Sequence, residues 1–142
     1  MKVIIASDHG GFNLKQSIVA KLRENDVDFT DFGPDSDASV DYPDFARPVA
    51  EKVAAGEYDR GILICGTGIG MSISANKVKG IRCALVHDTF SARATRAHNN
   101  SNILAMGERV IGPGLADDIV DVWLATEYEG GRHERRVCKI EE

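Results

Sequence analysis

Two periodicities alternate along the chain. Short apolar runs rich in β-branched residues, at 3–6 (VIIA), 26–32 (DVDFTDF), 61–65 (GILIC), 81–86 (IRCALV) and 102–107 (NILAMG), predict five strands. Between them, apolar residues recur every three or four positions: Leu14, Ile18 and Leu22; Phe45, Val49 and Val53; Ile69 and Ile73; Leu115, Ile119, Val122 and Trp123. That spacing lays an apolar stripe along one face of a helix. Strands separated by helices need crossover connections, which are right-handed and put helices on both faces of a parallel sheet. The pattern therefore predicts one doubly wound, Rossmann-like α/β domain over residues 1–142, three layers deep (αβα), with five parallel strands in the order 2-1-3-4-5. Only 33–41 (GPDSDASVD) and 127–136 (EYEGGRHERR) read as loose segments, and neither a repeat nor a low-complexity tract interrupts the alternation.

Composition narrows the partners. A chain of 142 residues with 43% hydrophobic content supports one sizeable core rather than two. A formal net charge of -5 gives no general attraction to nucleic acid or to an anionic membrane surface, so an anionic ligand has to be held by local basic residues. No apolar run approaches the roughly 18 residues that span a bilayer, and the start, MKVIIASDHGG, is charged too soon for a secretory signal. A cytoplasmic location is expected, with neither a nucleic-acid nor a membrane partner. Cys65, Cys83 and Cys138 are widely spaced and form no CxxC pair, which suits neither a disulfide framework nor a zinc site. They read as free thiols, and no metal or other cofactor is expected.

Ligands of doubly wound sheets bind beyond the carboxyl ends of the strands, where neighbouring connections leave toward opposite faces. In the predicted order that place lies between strands 1 and 3. Strand 1 ends in SDHGGF, bringing Asp8 and His9 there, and strand 3 ends in CGTGIGMS, bringing Cys65 beside a glycine-rich turn that opens a helix. With Gly66, Gly68 and Gly70 in that turn, successive backbone N–H groups can point at an anion near a helix N-terminus. The same glycines also fit tight helix–sheet packing, and Met71 stands where a dinucleotide fingerprint needs a further glycine. Cys65 taken alone reads as a core thiol; beside oriented N–H donors it reads as a thiolate able to act as a base. Cys83 and Cys138 lack such company and read as structural.

Asp8 is equally a helix cap or a site residue, and His9 equally a solvent-facing turn residue. His98 and Asn99 fit a polar helix end as well as a site. His98 also precedes strand 5 whereas Cys65 leaves strand 3, so the two lie at opposite ends of the sheet, and cooperation between them requires a second subunit. Arg109 follows strand 5, and Arg132 and Arg136 stand one turn apart if the tail is helical, a spacing that suits a phosphate as well as a solvated face paired with Glu127, Glu129 and Glu134.

The segments DHGGFNLK, DYPDFA, GILICGTGIGMSISANK, HNNSNILAMGERVIG and YEGGRHERRV resemble, in order and spacing over nearly the whole chain, the ribose-5-phosphate isomerase type B family, whose frame galactose-6-phosphate isomerase subunits share. The resemblance implies an aldose–ketose isomerase that interconverts ribose 5-phosphate and ribulose 5-phosphate through an enediolate, in the pentose phosphate route, without a metal. It implies Cys65 as the base between C1 and C2 and His98 as the acid/base that opens the sugar ring. Gly66, Thr67, Gly68, Ile69 and Gly70 would hold the enediolate oxygen, and Asp8, His9, Asn99, Arg109, Arg132 and Arg136 would contact hydroxyls or phosphate. Some members lack the cysteine and carry Glu where this chain has Met71, so Cys65 places the sequence in the cysteine-base branch. The resemblance also implies a homodimer, or a dimer of dimers, with the site shared between subunits. Hexose 6-phosphates such as allose or galactose 6-phosphate are the nearest alternative substrates, and a non-catalytic sugar-phosphate binding module is the alternative outside catalysis.

Overall fold

Each predicted apolar run becomes a strand in the computed structural model, which describes residues 1–142. The strands are β1 (Lys2–Ser7), β2 (Asp28–Gly33), β3 (Arg60–Cys65), β4 (Cys83–Leu85) and β5 (Ile103–Gly107), and every pairing is parallel. A single-turn 3-10 helix (His9–Gly11) leads into α1 (Phe12–Glu24); α2 (Pro43–Ala54), α3 (Ile69–Ala75), α4 (Thr89–Asn99), α5 (Pro113–Ala125) and α6 (Arg132–Ile140) complete the chain. The doubly wound αβα plan is as expected. The strand order is β2-β1-β3-β5-β4, so the first three places follow the prediction and the last two are exchanged.

Burial explains the exchange. Strands covered on both faces are continuously apolar, and β1, β3 and β5 have that character: Ile103 to Met106 are all fully buried. In 81–86, Arg82 and Cys83 interrupt the run, β4 is three residues long, and Leu85 is 40% exposed. Such a strand covers an edge, whereas the ILAM run requires neighbours on both sides.

Alternate residues of β1, β3 and β5 feed two cores. Val3, Ile5, Ile62, Ile64, Leu104 and Met106 face α1, α4 and α5, with the fully buried Trp123 at the centre. Ile4, Leu63, Cys65, Ile103 and Ala105 face α2 and α3. Trp123 Nε1 donates to Ser101 Oγ at 2.9 Å, and buried Arg96 donates to Asn100 Oδ1 and the Ser101 carbonyl at 2.9 and 2.6 Å, fixing the passage from α4 into β5. The stripe expected of α3 points the other way: Met71 and Ala75 are buried, while Ile69 and Ile73 are 50% and 58% exposed. Helix α6 rests on α4 and buries only His133 and Val137.

Lys15 is the more deeply buried of the fold's two buried cations. Its ammonium, 1% exposed, donates to both Asp31 oxygens at 2.8 and 2.9 Å and to the Pro34 carbonyl at 2.9 Å, pinning the start of the 33–41 loop to α1. Removing one partner of a buried pair costs about 3–5 kcal/mol when the other charge stays buried. Asp31→Ala strands the ammonium and is expected to cost that much, while Lys15→Met leaves Asp31, 29% exposed, in reach of water and costs less. Urea midpoints at unchanged m-value measure both, and equal losses would show that the asymmetry of burial is immaterial.

Candidate active site

The connections after β1 and β3 run toward opposite edges of the sheet, which puts the switch point between these strands. The turn after β1 presses directly on β3: Asp8 N–H donates to the Ile64 carbonyl at 3.1 Å, and a Cβ on Gly11 would lie 2.5 Å from that oxygen. Asp8 Oδ1 accepts the Gly11 N–H at 3.1 Å, so Asp8 caps the 3-10 turn and, only 7% exposed, also lines the cleft beside Cys65.

Cys65 closes β3, and the chain then turns through Gly68 at φ +77°, a region that costs an L-residue roughly 1–2 kcal/mol. There the Gly68 N–H points at Cys65 Sγ, 3.0 Å away. A Cβ on Gly68 would also meet Leu85 Cδ1 at 2.6 Å and the Met106 carbonyl carbon at 2.8 Å. The end of β5 packs on the same turn. Glu108 N–H donates to the Cys65 carbonyl at 2.9 Å, Arg109 N–H to the Gly66 carbonyl at 3.0 Å, and a Cβ on Gly107 would sit 2.6 Å from the Thr67 carbonyl carbon. The Arg109 guanidinium runs alongside Gly66.

The result is an open cleft of about 380 Å³ whose walls carry Asp8, Tyr42, Cys65, Thr67, Ile73 and Arg109, with Gly66, Ile69 and Gly70 in its floor and rim. It offers a thiol under a directed N–H, a glycine-lined turn and one cation. His9 is exposed and faces the 33–41 loop, its Nδ1 accepting the Val40 N–H at 3.2 Å.

Four predicted residues lie elsewhere. In the β3–β5 register Gly61 pairs with Ile103 and Cys65 with Gly107, so His98, five residues before Ile103, stands beyond the end of the sheet opposite the thiol. At about 3.3 Å per residue the strands alone separate the two ends by roughly 13 Å. His98 occupies the last turn of α4, its ring stacked on that of His133 with centroids 4.3 Å apart. Asn99 lines a separate hollow with Arg82 and Cys83, and its carbonyl accepts from Arg82 Nε at 3.1 Å. The tail is helical as the spacing of Arg132 and Arg136 requires; both are exposed, and neither is paired with an acid.

Sequence reasoning assigned no part to Tyr42, Glu108 or His87. Tyr42 lays its ring against Gly70, where a Cβ would meet ring carbons at 2.8 Å; the signal was an aromatic residue between the loose loop and a proline-led helix. Glu108 accepts the Leu14 N–H at the start of α1. His87 Nε2 accepts the Gly107 N–H at 3.0 Å, and burial holds its pKa below the usual 6.5. Of the other thiols, Cys83 is pushed up to about 12 by burial and Cys138 is raised by its contact with Glu134, which suits a structural reading of both.

A doubly wound parallel sheet with an open cleft at its switch point defines the class: an α/β protein that takes a small molecule beyond the carboxyl ends of its central strands. The chain belongs to the Ribose/Galactose Isomerase family, whose profile matches residues 3–140, and it is an isomerase. It is 52% identical to the ribose-5-phosphate isomerase B of Escherichia coli over 139 residues, covering 98% of this chain and 93% of that one. The ribose-5-phosphate isomerase B structure of Clostridium thermocellum superposes with a TM-score of 0.97 at 57% identity, covering 99% and 95% of the two chains. That of Mycoplasma genitalium with bound ribulose-5-phosphate superposes with a TM-score of 0.94 at 45% identity, covering 99% and 93%. No helix is long and apolar enough to cross a membrane.

Two measurements check this geometry. Gly80 also has positive φ, +88°, but open space around its Cβ position, so Gly80→Ala carries only the backbone strain, about 1–2 kcal/mol. Gly68→Ala adds the contacts with Leu85 and Met106; it is expected to destabilise further and to speed reaction of Cys65 with a thiol reagent, and equal costs would refute the close packing. The fold favours neutral His87, so the stabilisation it gives the Gly107 end is present above the ordinary 6.5 and is lost as pH falls below it. His87→Gln keeps an acceptor at every pH; its urea midpoint should fall less between pH 7 and pH 5 than that of the parent, and parallel curves would exclude His87 as a source of the pH dependence.

Proposed function

We propose that the protein interconverts D-ribose 5-phosphate and D-ribulose 5-phosphate through an enediolate, with Cys65 as the base. The observation that carries this reading is the Gly68 N–H aimed at Cys65 Sγ at 3.0 Å in a cleft whose floor is glycine backbone. Removing a proton beside a carbonyl leaves an enediolate, and backbone donors preorganised around its oxygen contribute about 3–4 kcal/mol each at comparable oxyanion sites. In the aldose direction His98 protonates the ring oxygen and accepts the anomeric hydroxyl proton, which opens the ring to the aldehyde. Cys65 then takes the C2 proton and, after a proton passes from O2 to O1, returns it to C1. The carrier begins and ends as the same thiolate, so no redox partner is needed. The ligand seen in the Mycoplasma genitalium relative, ribulose-5-phosphate, supports a pentose phosphate as substrate.

The phosphate lies away from the reacting carbons, so its grip supplies orientation rather than bond chemistry. Exposed Arg132 and Arg136, free of acidic partners, suit that task, with His9 and Arg109 on the cleft side; Asp8 and Asn99 address hydroxyls. Since His98, Asn99, Arg132 and Arg136 lie at the far end of their own sheet, they serve the cleft of a second subunit. The exposed Ile69, Ile73, Leu85 and Phe90 supply an apolar face beside the cleft for that copy, and a two-fold pairing then gives two complete sites. The proposal includes turnover in the cytoplasm.

Cys65→Ala should lower turnover by about 10²–10⁴-fold and also abolish deuterium uptake at C1 of ribulose 5-phosphate in D₂O. His98→Asn should impair conversion of ribose 5-phosphate but keep the C1 exchange, because an open-chain ketose needs no ring opening. Loss of exchange in both variants would remove the division of labour. Refolding the two variants together forms mixed dimers with one intact site, and random pairing should restore roughly a quarter of the parent's ribose 5-phosphate conversion; no recovery would place each site within one chain.

A further inference from the structure

At the far end of the sheet from Cys65, His98 is clustered with two ligating side chains, Glu129 and His133, that have no part in the chemistry above. His98, Glu129 and His133 bring an imidazole nitrogen, a carboxylate oxygen and a second imidazole nitrogen within 4.8 Å of one another. The backbone builds this arrangement. Glu129 N–H donates to the Ala97 carbonyl at 3.1 Å, which fixes the strap after α5 beside the last turn of α4. Gly130 and Gly131, at φ +64° and +55°, then turn the chain into α6 so that His133 comes back over Glu129. His133 is only 6% exposed and its Nε2 makes no hydrogen bond; Glu129 Oε2 stands 3.4 Å from it. A buried ring nitrogen without a partner carries a desolvation cost that a ligand removes.

We propose that His98, Glu129 and His133 form a binding site for a divalent transition-metal ion of the Zn²⁺ type, and that an ion bound there inhibits the enzyme by occupying the imidazole of His98. The inhibitory half rests on the ring-opening role proposed for His98. Two imidazoles and a carboxylate form a donor set that suits Zn²⁺ or Co²⁺ and not Mg²⁺ or Ca²⁺, which take oxygen ligands. Bonds of about 2.0–2.1 Å in a tetrahedron hold ligand atoms roughly 3.4 Å apart. The Glu129–His133 pair already has that spacing, and His98 Nε2 stands 4.0 Å from Glu129 Oε2. The rings of His98 and His133 are stacked with planes 14° apart, so their in-plane lone pairs run side by side and do not converge. One ring has to turn. His98 is the one free to do so, since its side chain is 44% exposed and makes no hydrogen bond, whereas His133 is packed beneath it. The turn that completes the metal site therefore takes the ring of His98 away from its free orientation, and the fourth coordination position stays open to water.

The test starts from chelator-treated protein and uses metal alone. Co²⁺ should give the visible absorption of a tetrahedral site, and Zn²⁺ should displace it at one ion per chain. Glu129→Ala, a change at a side chain 57% exposed, and His133→Gln should each weaken Zn²⁺ binding by at least about 10-fold. Zn²⁺ should suppress conversion of ribose 5-phosphate while leaving C1 exchange of ribulose 5-phosphate, and each variant, compared with its own metal-free rate, should resist this inhibition. Absence of binding, or binding that survives both replacements and vanishes on alkylation of the thiols, overturns the site. Binding lost in both variants with turnover unaffected by Zn²⁺ in the parent overturns the inhibitory half. If the metal-free parent does not act on ribose 5-phosphate, the functional reading fails by itself, and the Co²⁺ spectrum, which needs no substrate, still decides the site.

Discussion

The cleft depends on the close approach of the end of β5 to the turn that follows β3. Gly107 lies so near Thr67 that a single methyl group would collide with its backbone, and two hydrogen bonds from Glu108 and Arg109 tie the following residues to Cys65 and Gly66. That approach leaves Gly68 in the left-handed region, and the left-handed region aims its N–H at the sulfur. Arg109 reaches the cleft because it belongs to the same segment. Displacing β5 by even an ångström would loosen the thiol's donor, the glycine-lined floor and the nearby cation together.

This dependence gives the strand order its meaning. Only a strand adjacent to β3 can support the turn at its end, and β5 takes that place because its ILAM run is the one remaining segment apolar on both faces. The placement of Cys65 at the tip of β3 thus rests on the hydrophobicity of a segment almost forty positions downstream. His87 extends the same support by accepting the Gly107 N–H from the short edge strand's exit.

The layered plan, the five strands and the thiol with its glycine turn were legible in the sequence because each is written in contiguous residues. Cys65 and Gly66 to Gly70 form one uninterrupted stretch, and the strand before them fixes where they end. The exchange of β4 and β5 was harder to read, although Arg82 and Cys83 mark the weaker strand, because order depends on comparing burial between segments and not on periodicity within one. Ile69 and Ile73 carried the helical spacing correctly but pointed outward, since spacing alone cannot tell a buried face from an exposed one. Tyr42, Glu108 and His87 join the site through contacts with backbone far along the chain, and nothing local marks such contacts. The cluster of His98, Glu129 and His133 escaped the motif rules for the same reason: Glu129 in the strap and His133 in α6 are four positions apart, but His98 comes from α4.

The loop at 33–41 is held at both ends, by the Lys15 ammonium at Pro34 and by His9 at Val40, and is exposed between them. Residues between two such anchors can lengthen or shorten without disturbing either support, since closing a slightly longer loop adds little entropy cost. Tyr42, which roofs the glycine floor at Gly70, follows directly after the second anchor. The fold thus separates two constraints: the strand ends around Cys65 are packed too closely to admit even a methyl group at Gly68 or Gly107, while the loop beside them is held only at its ends and can change length.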